Sequence, residues 1–178
     1  MIHFVGAGPG AVDLITVRGQ KLLETADQII YAGSLVNPQL LACAKKDCRI
    51  LDSAGMTLEA VIAAMEEGEG QGWMTVRLHT GDPSVYGAIR EQMDILSQKG
   101  LAYDVVPGVS SFCAAAASLQ AEYTLPGISQ SVIHHYHINS KGSGFFCQIH
   151  DRISRKIKIG CLPAVDQNRT NLFFMRAP

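Results

Sequence analysis

The sequence predicts an α/β domain built on a mostly parallel sheet. Two observations carry this expectation. Five short strand-like runs alternate with helix-like segments between residues 2 and 119, the order that buries a parallel sheet between helices. Three strand ends carry glycine- and proline-rich turns: Gly6-Ala7-Gly8-Pro9-Gly10, Thr80-Gly81-Asp82-Pro83 and Pro107-Gly108-Val109-Ser110. In such sheets ligands sit beyond the carboxyl ends of the strands.

The elements follow in order. Ile2–Gly6 reads as a short buried strand ending in a glycine turn. Thr16 to Asp27 reads as a helix with Thr16 as N-cap and Val17, Leu22, Leu23 and Ala26 on its apolar side. Gln28–Ala32 is the second strand. Asn37-Pro38, an N-cap followed by a first-turn proline, opens a short helix through Ala44. Arg49–Leu51 is a third strand, and Thr57 caps an amphipathic helix with Leu58, Val61, Ile62 and Met65 on one face. Trp73–Leu78 is the fourth strand. Ala88–Gln98 is a helix stopped by Gly100, Tyr103–Val106 is the fifth strand, and Ser110–Leu119 is an alanine-rich helix.

Composition narrows the class. A chain of 178 residues, 47% hydrophobic and 17% charged, is globular and large enough for a core. Its net charge of −1 implies neither a nucleic-acid nor a membrane partner. No apolar run reaches the roughly 18 residues of a membrane span. Five cysteines without a C-x-x-C pair, and no signal-peptide pattern, lead us to expect a reduced, cytoplasmic compartment. The charge is unevenly spread. Residues 1–133 carry 8 Lys/Arg against 14 Asp/Glu, whereas residues 134–178 carry 7 against 2.

The first loop fits the dinucleotide fingerprint G-x-G-x-x-A with Ala11 in last place. Pro9 stiffens it, and the second strand ends in Tyr31-Ala32-Gly33-Ser34 with no acidic residue for a ribose. A plain strand-to-helix turn and another small-molecule site are the alternatives. In the second loop Gly81 and Gly87 let backbone approach a ligand. Asp82 is expected at the start of a helix, with Pro83 in the first helical position. A generic capped turn is the alternative there. Ser110 and Ser111 either cap the following helix or bind a ligand.

Together the loops resemble the tetrapyrrole methyltransferases that use S-adenosylmethionine. The resemblance rests on Val5-Gly6-Ala7-Gly8-Pro9-Gly10 followed by Asp13, Leu14 and Thr16. It also rests on Arg77-Leu78, Gly81-Asp82-Pro83, Gly87, and Val105-Val106-Pro107-Gly108 with Ser110. Within that superfamily Tyr31 to Val36 and Leu78 to Gly87 are most similar to precorrin-4 and cobalt-precorrin-4 methyltransferases, which methylate carbon 11 in cobalamin biosynthesis. The match runs from residue 1 to about Ile133. It implies a two-domain, homodimeric enzyme with the cofactor in a cleft between the domains. By motif position Pro9, Thr80, Gly81, Asp82, Val85, Ser110 and Ser111 would contact S-adenosylmethionine, and Tyr31 and Ser34 would line the tetrapyrrole trough. Tyr31 is equally readable as a strand-end packing residue. The sulfonium leaving group is already cationic, so no catalytic base or nucleophile is assigned.

After Ile133 the family pattern is lost. Residues 134–178 read as a divergent basic tail, poorly ordered or frameshift-derived, in place of most of a second α/β domain. Ile153–Ile159 alone has strand character, with Ile153, Ile157 and Ile159 on one parity. His134, His135, His137, Cys147 and His150 fit no structural zinc spacing, so no metal is expected. A shifted frame makes one prediction. Sequencing the DNA downstream of codon 133 should find second-domain coding sequence in another frame, and one continuous frame without it would remove the expectation.

Overall fold

The computed structural model describes residues 1–124, 126–127, 132–139, 142–149, 157–161 and 174–176. It leaves aside the side chains of Ser34 and of residues beyond Val132. The chain divides into two compact units, Met1–Ser111 and Phe112–Pro178.

The first unit holds a five-stranded parallel sheet in the order β3-β2-β4-β1-β5. The strands are β1 Ile2–Gly6, β2 Gln28–Tyr31, β3 Arg49–Asp52, β4 Thr75–His79 and β5 Tyr103–Val106. Helix α1 (Val17–Thr25) links β1 to β2, α2 (Leu58–Gly70) links β3 to β4, and α3 (Arg90–Gln98) links β4 to β5. Each helix is set locally. Thr16 Oγ1 accepts from Gly19 N at 3.1 Å and Thr57 Oγ1 from Ala60 N at 3.3 Å, which satisfies first-turn amides. Alpha helix α3 ends at Gly100, whose φ of +69° lies in the left-handed region that favours glycine.

Period-2 alternation gives the sheet two buried faces. Val5, Ile29, Val76, Leu78 and Val106 pack with Leu23 and Ala26 from the α1 segment. Ile2, Phe4 and Ile30 pack with Val61, Ile62 and Met65 of α2 and Leu96 of α3. Val17 departs from expectation, being 71% exposed. Six residues at about 100° each put it well round the helix from buried Leu23. The Asn37–Ala44 segment is a 3-10 helix over Pro38–Cys43, not an α-helix.

The second face also buries polar groups. Arg77, His79, Gln28 and Thr75 are almost wholly buried. Arg77 donates from Nη1 to Ile30 O at 3.1 Å and from Nε to Gln92 Oε1 at 3.3 Å. Burial lowers its pKa to about 10, so it stays charged at neutral pH. His79 stacks on Phe4 with ring centroids 6.1 Å apart, and its Nε2 has no hydrogen-bond partner. Burial, then the Arg77 charge, pushes its pKa down to about 3.

The second unit contains most of α4 (Ser111–Ser118). Ala115 is buried there against Leu119, Tyr123 and Val132, and the Tyr123 hydroxyl donates to Phe112 O at 2.7 Å. Beyond it an antiparallel sheet runs in the order β6 (Ile133–Asn139), β7 (Gly142–Ile149), β8 (Ile157–Cys161), β9 (Phe174–Arg176). Strand structure is therefore not confined to Ile153–Ile159, and positions 153–156 lie outside the described residues. The histidine and cysteine side chains of this segment also lie outside them. Among the described residues no helix is long and apolar enough to cross a membrane.

His79 generates a prediction. The unfolded chain protonates it below about pH 6.5, whereas the folded protein resists protonation down to about pH 3. Between those values the unfolded state holds the extra proton, so stability should fall with falling pH by up to about 1.4 kcal/mol per unit. Urea denaturation of the wild type and His79→Leu from pH 7.5 to 4.5 should show their stability difference shifting toward the variant as pH drops. Parallel pH profiles would show that the ring does not resist protonation.

Candidate functional site

The carboxyl ends of β4, β1 and β5 lie side by side, and their loops meet there through backbone. Gly6 is in register with His79, and Val5 with Val106, so the three turns leave the sheet at one level. Gly8 and Gly81 form an antiparallel bridge, Gly8 N donating to Gly81 O at 3.2 Å and Gly81 N to Gly8 O at 2.8 Å. A β-carbon on Gly6 would stand 2.5 Å from Gly81 O and 2.6 Å from Gly108 Cα. One on Gly108 would stand 2.1 Å from Gly81 O. These approaches are backbone on backbone, so no side chain can turn aside to relieve them. Gly81 itself has room for a β-carbon, 3.7 Å from Ser110 Cα and Ser111 N, but its φ is +62°.

Side chains complete the fastening. The Asp82 carboxylate accepts from Ser84 N at 2.8 Å and from Gly108 N at 3.0 Å, tying the β4 loop to itself and to the β5 loop. Thr80 Oγ1 donates to Leu35 O at 2.7 Å, joining the β4 and β2 loops. Asn37 Nδ2 donates to Gly10 O at 2.7 Å while its Oδ1 accepts from Gln39 N at 3.0 Å, joining the β2 and β1 loops. Each contact is a net stabilisation of about 1 kcal/mol, and together they make one unit of four loops.

The sequence-predicted residues fall out unevenly. Thr80, Gly81 and Asp82 sit in the β4 loop, Ser110 and Ser111 beside Gly81, and Pro9 directly after the Gly8 bridge. Ser110 is buried and Val85 is 38% exposed. Tyr31 closes β2 and packs against the α1-side core. Burial, with the hydrogen-bonded Asp52 carboxylate, raises its pKa. Ser34 lies in the 3-10 turn Gly33–Leu35, and its side chain is outside the description. Asp82 and Pro83 do not begin a helix. Val85 N donates to Asp82 O at 3.1 Å in an isolated turn, and α3 starts only at Arg90. Gly87 serves the turn itself, since a β-carbon there would be 2.1 Å from Pro83 O. The G-x-G-x-x-A match lacks its helix: a 3-10 turn, Val12–Leu14, follows the glycines and α1 begins at Val17. No helix N-terminus stands at the glycines as pyrophosphate binding requires.

Sequence reasoning missed three features. Asn37 was readable only as an N-cap, and its bond to Gly10 is long-range. Tyr86 and Ala88 hold left-handed φ values of 57° and 50°, which no composition signal marks. Gln92 carries the buried Arg77 to the same turn, donating from Nε2 to Ala88 O at 3.2 Å.

The glycines give a graded prediction. Gly108→Ala should cost about 3 kcal/mol or more, because backbone must separate. Gly81→Ala should cost about 1–2 kcal/mol, the left-handed penalty alone. Gly55→Ala, with nothing within 4 Å, should be neutral or stabilise by about 0.5 kcal/mol. Chemical denaturation of the three variants checks the order, and equal costs at positions 108 and 55 would contradict the contact.

Comparison with known proteins agrees with this geometry. Residues 1–153 match the family profile of the Tetrapyrrole (Corrin/Porphyrin) Methylases. The chain is 57% identical over 132 residues to the cobalt-precorrin-4 C(11)-methyltransferase of Methanocaldococcus jannaschii, covering 74% of this chain and 51% of that one. It thus spans about half the length of the curated relatives it matches. The X-ray structure of a cobalt precorrin-4 methyltransferase, a cobalamin biosynthetic enzyme, superposes with a TM-score of 0.76 at 46% identity. That match covers 79% of this chain and 59% of the other. Uroporphyrin-III C-methyltransferase from Thermus thermophilus, solved with S-adenosylhomocysteine, gives a TM-score of 0.60 at 29% identity over 73% of this chain and 52% of the other. With a parallel sheet, three glycine-fastened loops at its carboxyl edge and a profile match over most of its length, the chain belongs to the tetrapyrrole methylase family.

Proposed function

We propose that this chain binds S-adenosylmethionine at the fastened loops and takes part in methylating carbon 11 of precorrin-4 or cobalt-precorrin-4 in cobalamin biosynthesis. Action in the cytoplasm and as a homodimer belongs to the same reading. The observation that carries it is the meeting of the β1, β4 and β5 loops through Gly6, Gly81 and Gly108. That meeting leaves bare backbone and small hydroxyl side chains at one sheet edge. The donor set fits the cofactor: main-chain amides and carbonyls around Gly81, hydroxyls at Ser110, Ser111 and Thr80, and apolar surface at Pro9 and Val85. Asp82 holds the cradle through its two amide contacts and keeps lone pairs for a ligand hydroxyl or ammonium. Tyr31 and Ser34 are the proposed substrate-side residues.

When bound, the cofactor supplies an electrophilic methyl group on a cationic sulfur. The protein's task is then to position and to exclude water, with no side-chain nucleophile required. Loops fastened through backbone suit that task, since alignment of nucleophilic carbon, methyl and sulfur tolerates little movement.

A second reading is a non-catalytic form with weak or no cofactor binding. Calorimetric titration with S-adenosylmethionine decides. The proposal expects a Kd in the micromolar range, about −8 kcal/mol. Absence of heat at millimolar ligand would overturn it, and tight NAD or FAD binding would replace it.

A further inference from the structure

We propose that Gln92 is a positioning residue for cofactor binding. Its buried side chain holds the turn after β4, Asp82 to Ala88, in the shape that receives S-adenosylmethionine. This rests on the cofactor reading above and adds a residue of α3, outside the loops that make the cradle. The first observation is a polar relay through the core. Arg77 and Gln92 are each 6% exposed. Arg77 donates from Nη1 to Ile30 O on β2 at 3.1 Å and from Nε to Gln92 Oε1 at 3.3 Å. Gln92 Nε2 donates in turn to Ala88 O at 3.2 Å. Chemistry fixes the direction of the relay. A guanidinium only donates, so Gln92 must turn its oxygen to Arg77, and its nitrogen is left for the Ala88 carbonyl. An apolar contact between α3 and the sheet would avoid burying these groups, which is unfavourable unless they are bonded.

The second observation is what the relay grips. Ala88 has a φ of 50° and Tyr86 a φ of 57°, in the left-handed region where a β-carbon is disfavoured. Such backbone persists where its surroundings hold it. Ile89, the N-cap of α3, makes no side-chain capping bond. The bond from Gln92 reaches back across this junction and holds Ala88 from within the helix.

The third observation is what the grip transmits. Gly87 lies against Pro83 so closely that a β-carbon would stand 2.1 Å from Pro83 O. A shift at Ala88 therefore passes through Gly87 to Pro83, the neighbour of Asp82. Asp82 accepts from Ser84 N and Gly108 N through its carboxylate and from Val85 N through its carbonyl. One end of the turn is thus tied to the β5 loop and the other to the core. Asp82 and Val85, both proposed cofactor contacts, stand between the two ties. With the Ala88 end released, the turn relaxes toward ordinary backbone and those two residues lose their alignment, while the apolar packing beneath is untouched.

The test uses the whole chain and three readouts: thermal melting, amide exchange by NMR, and calorimetric titration with S-adenosylmethionine. Gln92→Glu keeps an oxygen acceptor for Arg77, but its carboxylate has no proton for Ala88 O. Ala88→Gly adopts the left-handed conformation without help, so adding it to Gln92→Glu is the rescue. Gln92→Glu should melt near the wild-type temperature, exchange the Ser84 and Val85 amides at least about tenfold faster, and bind cofactor at least about tenfold more weakly. The double variant should regain cofactor affinity to within about threefold of wild type. Wild-type exchange and affinity in Gln92→Glu overturn the assignment alone. Weak binding that Ala88→Gly does not rescue overturns the role through the turn. A Gln92→Glu chain that melts far below wild type, with or without Ala88→Gly, overturns it in favour of general support of the core. A wild type that binds no cofactor at millimolar concentration overturns the cofactor reading and this role with it.

Discussion

The packing of Gly6, Gly81 and Gly108 against one another is the constraint on which the candidate site depends. Parallel register brings three strand ends to one level, but register alone leaves their loops free to splay. Contact between main chains removes that freedom, because the gap between them is smaller than a methyl group. The hydrogen bonds of Asp82, Thr80 and Asn37 then act between loops already in place. Their individual contributions are near 1 kcal/mol, whereas a β-carbon at Gly6 or Gly108 cannot be accommodated at all without moving a strand end. The order of importance is therefore steric first and polar second.

A cost accompanies this arrangement on the α2 and α3 face of the sheet. A well-packed apolar layer would have no use for Arg77, His79 and Gln28, each of them buried. Among the described residues His79 Nε2 and Gln28 Oε1 lack partners, while Arg77 donates to two neutral acceptors. Unsatisfied buried groups cost about 1–3 kcal/mol apiece. Arg77 at least has an identifiable structural product, because its bond to Gln92 fixes the acceptor that orients the amide toward Ala88 O. Gln28 is anchored through its amide nitrogen, which donates to Ala64 O at 2.9 Å and to Thr75 Oγ1 at 3.4 Å.

Much of the fold was legible because its signals are local. β-Branched runs bounded by glycine and proline marked β1 to β5, and Thr16 and Thr57 marked helix starts through short-range capping. The errors share a different origin. Val17 lies on the apolar side only if spacing is judged loosely, and Pro83 starts a helix only if Tyr86 and Ala88 can continue one. Left-handed backbone at a tyrosine is imposed by Gly87 against Pro83 and by Gln92 against Ala88, contacts that sequence spacing does not reveal. Arg77 read as part of a motif with no hint of its burial, since arginine is rarely buried. Asp82 read as a ligand contact because its type suits one. That it grips two amides, one of them 26 residues away, is a tertiary fact.

These contacts divide the work between backbone and side chains. The cradle is made of main chain and glycine fastened by the Asp82, Thr80 and Asn37 side chains, and it tolerates almost no substitution at Gly6 and Gly108. The rim at Val12, Leu14, Leu35, Val85 and Tyr86 is made of exposed side chains on those same loops. A change of side chain at Leu35 or Val85 leaves the fastening bonds in place, because both residues take part through backbone atoms.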